Sequence, residues 1–97
     1  MTNYRLSNTA KEDLIRIHHY GVRTFGETQA DKYFDSFFEY FDRISKNPYS
    51  FESVDYIKIG YRRCVCSSDS IYFKINENDK AVEIMTIIGR QDLKDIL

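Results

Sequence analysis

Residues 30–44 read "ADKYFDSFFEYFDRI", and they decide the fold. Ala30, Tyr33, Phe34, Phe37, Phe38, Phe41 and Ile44 recur at i, i+3, i+4, i+7, i+8, i+11 and i+14, the spacing of one face of a helix. That face is almost all aromatic. Asp35, Glu39, Asp42 and Arg43 fall on the opposite, solvated side, and residues 28–31 carry a capping pattern at the start. Packing against a sheet accounts for Tyr33, Phe34, Phe37, Phe38 and Phe41. Tyr40 lies outside the stripe and marks an exposed aromatic edge.

Upstream, Ala10, Leu14, Ile15, Ile17, His18, Val22 and Phe25 form a second, broader stripe. Ser7, Asn8 and Thr9 are all N-cap types, and Thr9 with Glu12 has capping-box spacing. Gly26 in "FGE" stands where a helix C-terminus favours it, so two antiparallel helices joined by a turn of a few residues are expected. Residues 3–6 are a short candidate strand. Downstream, the single proline in "KNPYSFES" closes the helical pattern. The period then changes to two: "YIKI" reads as a short edge or lead-in strand, followed by "YRRCVC", "SIYFKI" after the tight "SSD", and "AVEIMTII" after "NENDK". The expected class is α+β, a helical hairpin packed on a small antiparallel sheet in one domain, 1–97, with the first strand joining an edge.

Composition narrows the function. Eight Tyr and seven Phe among 97 residues supply a core without Trp. A formal net charge of −1 argues against sequence-specific nucleic-acid binding, which usually needs a basic excess. The start, "MTNYRLSNTAKEDL", has no apolar leader core, and "IMTIIG" is too short to span a bilayer, so a soluble, cytoplasmic protein is expected. The two cysteines, Cys64 and Cys66, point to one face of a strand ~6.6 Å apart, which disfavours a disulfide between them. His18 and His19 diverge on a helix, and no metal site is expected.

The segments "YRLSNTAKEDL", "FGETQADKYFD", "NP", "GYRR", "SIYFKI" and "VEIMTIIGRQD" together resemble the ParE toxins of the RelE/ParE toxin–antitoxin superfamily, over nearly the whole chain. The resemblance implies a β-α-α-β-β-β fold, a protein that poisons DNA gyrase, and a ParD-type antitoxin that holds it silent in a hetero-oligomer. The chain departs from the common pattern at its end. Many members carry a His at the place of Gly89 and Met-Asp at that of Gln91-Asp92.

The same superfamily contains RelE-type ribonucleases that cut mRNA on the ribosome. Such cleavage needs a base for the 2′ proton, cations at phosphorus and a donor for the leaving oxygen. Arg62, Arg63, Lys74 and Arg90 can converge as cations at one end of the sheet, but no His or Tyr follows Tyr72, Glu83 opens the last strand rather than closing it, and a helical His is more often a packing residue. No catalytic residue, metal or cofactor is therefore expected. A ribonuclease and an inactive toxin-like partner module stand as the alternatives.

Arg62 and Arg63 point to opposite faces of their strand. One covers apolar surface or pairs with an acid such as Asp55 or Asp92. The tail "GRQDLKDIL" spaces Leu93, Ile96 and Leu97 like an amphipathic turn. The expected target-binding set is Arg62, Arg63, Arg90, Asp92, Leu93, Ile96 and Leu97; the expected antitoxin contacts are Tyr40, Tyr61 and Tyr72.

Overall fold

The computed structural model describes residues 3–89. Its elements run β1 (Tyr4–Leu6), α1 (Asn8–Phe25), α2 (Glu27–Lys46), a 3-10 turn (Pro48–Ser50), β2 (Glu52–Ser53), β3 (Arg62–Cys66), β4 (Asp69–Ile75) and β5 (Val82–Gly89). The expected α+β layout is present, with the five strands ordered β1-β5-β4-β3-β2. β2 to β5 pair antiparallel, whereas β1 joins the β5 edge in parallel, Tyr4 opposite Val82 and Leu6 opposite Ile84. The sheet is thus mixed rather than purely antiparallel.

Alternation along β4 separates two hydrophobic clusters. Ile71 and Phe73 face the helices with Phe37, Phe41, Ile44, Leu14, Ile17, Ile84 and Ile87, while Tyr72 turns to the other face with Val54 and Ile88. The aromatic stripe of α2 forms a continuous row of tilted and edge-to-face rings: Tyr33 to Phe37 at 5.0 Å, Phe34 to Phe38 at 5.4 Å and Phe38 to Phe41 at 5.4 Å. These are the preferred ring geometries.

Local details differ from the sequence expectation for identifiable reasons. Ser7, rather than Thr9, caps α1: its hydroxyl accepts from Ala10 N–H at 3.0 Å and donates to Met85 C=O at 2.7 Å. Its own N–H still bonds Ile84, so the helix starts at the residue where the strand ladder ends. The interhelical turn is a single residue. Gly26, at φ +91°, donates to Val22 C=O and accepts from Ala30 N–H, closing one helix and opening the next without a side-chain cap. The expected cap at 28–31 is already inside α2. Gly21 lets the helices approach closely, since a Cβ there would stand 3.2 Å from the Ala30 Cβ.

Ile15 and Phe25, expected in the α1 stripe, are 56% and 65% exposed, because that stripe is wider than one helix can bury. "YIKI" is not a strand. The β2 residues Glu52 and Ser53 pair with Arg63 and Arg62, and 54–61 folds back as a loop closed by Val54 N–H to Tyr61 C=O and by the Asp55 carboxylate accepting Gly60 N–H. Gly60, at φ +87°, makes that closure possible.

β5 runs further than β1, and side chains of α1 cover the open length. Asp13 accepts from Ile87 N–H at 3.0 Å and from the Thr86 hydroxyl at 2.8 Å, and Arg16 donates to Ile87 C=O. Together with Ser7 on Met85, these bonds stand in for a neighbouring strand beside the register shift between β4 and β5.

Candidate functional site

A groove of about 670 Å³ opens where α1, the start of α2, the β3–β4 turn and the end of β5 meet. Its apolar wall is Ile17, Tyr20, Phe25 and Ala30, and its polar end holds Tyr33, Ser68 and Asp69. Tyr20 and Phe25 are 57% and 65% exposed, so the wall presents aromatic surface to solvent. The two-residue turn Ser67-Ser68 between paired Cys66 and Asp69 has Ser67 at φ 56°. It places Asp69 against helix α2.

The Tyr33 hydroxyl donates to the Asp69 carboxylate at 2.5 Å and lies 3.5 Å from Cys66 C=O. Burial first, and the neighbouring carboxylate next, hold that hydroxyl well above the ordinary phenol range. Tyr33 is therefore a neutral donor. Burial, with Cys64 and Asp69 adding to it, pushes the Cys66 thiol up to about 12. Cys64 is likewise raised by burial. Both cysteines are free and buried, which makes them packing groups of low reactivity.

The two arginines of "GYRR" separate as their alternation requires. Arg62, opposite Phe73, lies on the helix side, donates to Phe51 C=O at 2.8 Å and sets its guanidinium 5.1 Å from the Tyr49 ring centre. Arg63, opposite Tyr72, pairs with Glu52 and reaches the Tyr56 hydroxyl at 3.4 Å. Among the described residues the acid is Glu52 rather than Asp55; Asp92 lies outside them. Asp55 is instead committed to Gly60. Lys74 does not join Arg62: it faces Glu83, which also pairs with Arg5, in a row of charges across β4, β5 and β1. His18 bonds Asp31 at 2.7 Å and stacks edge-on against Phe34 at 5.4 Å, the packing role expected of it.

Of the expected antitoxin contacts, Tyr72 is withdrawn, because it is 2% exposed in the core of the second face. Tyr61 is half-buried on that cluster, beneath the Lys58 ammonium. Tyr40 is half-buried too, packed on the main core with Arg43 over its ring at 5.0 Å, so it is not the exposed aromatic edge expected. Arg90, Asp92, Leu93, Ile96 and Leu97 lie outside the described residues. The groove is not legible in the sequence, because Tyr20, Phe25, Tyr33 and Asp69 come from separate segments. The one visible signal was Phe25 beside a helix-ending glycine, a position that faces outward when the chain reverses.

The matched family model is the ParE toxin of the type II toxin–antitoxin system parDE, over residues 4–94. Toxin ParE1 of Caulobacter vibrioides is 27% identical over 85 residues, 88% of each chain. Among solved structures, the chromosomal ParDE system from P. aeruginosa aligns at a TM-score of 0.79 and 19% identity, covering 92% of this chain and 96% of that one. The RelBE2 toxin–antitoxin complex from Mycobacterium tuberculosis aligns at 0.69 and 15%, covering 92% and 98%. These structures share the fold. Among the described residues no helix is long and apolar enough to cross a membrane.

Proposed function

The chain belongs to the ParE toxins of type II toxin–antitoxin systems, and from that membership we propose that it stops growth by binding DNA gyrase, without a catalytic step of its own, and is silenced by a ParD-type antitoxin seated in the aromatic groove. The observation that carries the reading is the groove itself. Its exposed Tyr20 and Phe25 beside the polar Tyr33–Asp69 end suit an amphipathic helix that lays apolar side chains along the wall and anchors its register at the carboxylate. An antitoxin that orders on this surface binds while folding.

The local chemistry favours binding over cleavage. Burial, with Asp69 adding to it, keeps the Tyr33 hydroxyl protonated, and burial does the same for the Cys66 thiol behind the turn, so neither serves as a base; the Asp69 carboxylate is already engaged by the Tyr33 hydroxyl. Arg62 and Arg63 are engaged with Phe51 C=O and Glu52 rather than offered to a phosphate. The test adds antitoxin-free protein to purified gyrase, relaxed plasmid and ATP. Loss of supercoiling with protein-linked linear DNA is the expected result. Unimpaired supercoiling with folded protein, accompanied by mRNA cleavage on ribosomes, overturns the reading in favour of a ribonuclease.

A further inference from the structure

The sheet face away from the helices is capped by the loop 54–61, whose two sides differ sharply. Val54, Ile57 and Tyr61 turn inward onto Tyr72 and Ile88. Tyr56 and Ile59 turn outward, 77% and 88% exposed, the most exposed large apolar side chains among the described residues. Closing the second cluster does not require them, since the inward residues already do so.

The outward pair is held in place. Ile57 and Lys58 N–H both donate to Val54 C=O at 2.8 and 3.0 Å, Tyr61 N–H donates to Lys58 C=O at 3.1 Å, and Val54 N–H donates to Tyr61 C=O at 2.9 Å. The Asp55 carboxylate takes Gly60 N–H at 2.8 Å, and the Tyr56 hydroxyl is reached by Arg63, itself paired with Glu52. The conformational cost of fixing this loop is met on folding, so it is not charged again when something binds. A rigid tyrosine and an aliphatic side chain on such a loop are what an interface anchor requires.

The chemistry of the surroundings selects a protein as the partner. Glu52 and Asp55 balance Lys58 and Arg63, so there is no basic excess for a phosphate backbone, and two apolar side chains are too few to hold a membrane surface. The Lys58 ammonium lies 5.2 Å above the Tyr61 ring and has no carboxylate partner among the described residues, which asks for an acidic rim opposite it. No residue of this loop lines the aromatic groove.

We infer that Tyr56 and Ile59, held outward by the hydrogen-bonded loop 54–61, are the anchors with which this toxin grips its protein target, entering an apolar pocket bordered by carboxylates. The inference rests on the toxin reading above and assigns the target surface within it. It is tested with the full chain as Ile59→Asp, Ile59→Ser and the double variant Tyr56→Ala with Ile59→Ser, by induced growth arrest, gyrase inhibition and affinity for the cognate antitoxin. The double variant is expected to melt with the wild type, to bind antitoxin within about twofold of it, and to need about thirtyfold more protein for the same inhibition. Lys58→Glu is expected to cost about fivefold, more at low salt. A folded double variant that arrests growth like the wild type overturns the inference, as does one that loses antitoxin affinity while keeping full arrest. If the wild type arrests growth but leaves gyrase untouched, gyrase falls as the target, and the growth comparison alone still decides the role of the loop.

Discussion

The two faces of the sheet are built by different means. On the helix side, thirteen buried residues from both helices and from β3, β4 and β5 form one cluster, knit by the ring row of α2. On the other side, three buried residues lie beneath a short loop. Stability is concentrated where many large side chains share contacts, which leaves the loop-covered face free to be specialised at little thermodynamic cost. The difference teaches where to look for recognition: at the rim of the large core, where α1 and α2 part from the β3–β4 turn, and on top of the small one.

Phe37→Ala tests the helix side most severely. Phe37 is fully buried between the Tyr33 and Phe41 rings, and its loss should cost about 3–5 kcal/mol, enough to unfold much of the population in urea titrations. If the cost is under about 1 kcal/mol, the large cluster is not the main source of stability. Asp13→Ala comes next. It leaves Ile87 N–H without its acceptor, and a loss of about 1–3 kcal/mol is expected. Hydrogen exchange should quicken first at Ile87, where the helix side holds the β5 edge.

Tyr61→Ala acts on the opposite face and should cost less than Phe37→Ala, about 1–2 kcal/mol, with faster exchange confined to the loop amides of Val54, Ile57 and Gly60. Global unfolding equal to that of Phe37→Ala would erase the distinction between the faces. The smallest effect is at the sheet edge. The Arg5 guanidinium, then the Ala81 N–H, hold the Asp79 carboxyl below the ordinary carboxylate range. A lowered folded-state value means the contribution is present above the unfolded carboxylate value and fades as pH falls through the folded one. In an NMR titration Arg5→Ala should move the Asp79 midpoint up toward its ordinary value; an unmoved midpoint would remove the pairing.

Much of this was legible in the sequence. The stripe from Ala30 to Ile44 predicted α2 because twelve of its fifteen residues are aromatic or charged and segregate by face, and the change of period after Pro48 located β3, β4 and β5. What stayed hidden depended on contacts between distant segments. Ser7 outcompetes Thr9 as a cap because Ile84 and Met85 hold it. Val82 to Ile84 accept β1 in parallel, a pairing that no local pattern encodes. In the strand expected at 56–59, Ile57 and Ile59 would share a face; in the loop Ile57 turns inward while Ile59 turns outward with Tyr56, an arrangement that no local alternation encodes. The adjacent arginines split by alternation alone, but that Arg63 meets Glu52 follows from the β2 register.

Hydrogen exchange of the toxin, compared free, with its cognate antitoxin and with gyrase, tests the two-surface account most directly. The account predicts that antitoxin slows exchange around Tyr20, Phe25 and the Ser67-Ser68 turn, whereas gyrase slows it in the loop 54–61. Protection by gyrase at the groove, with the loop unchanged, would contradict it.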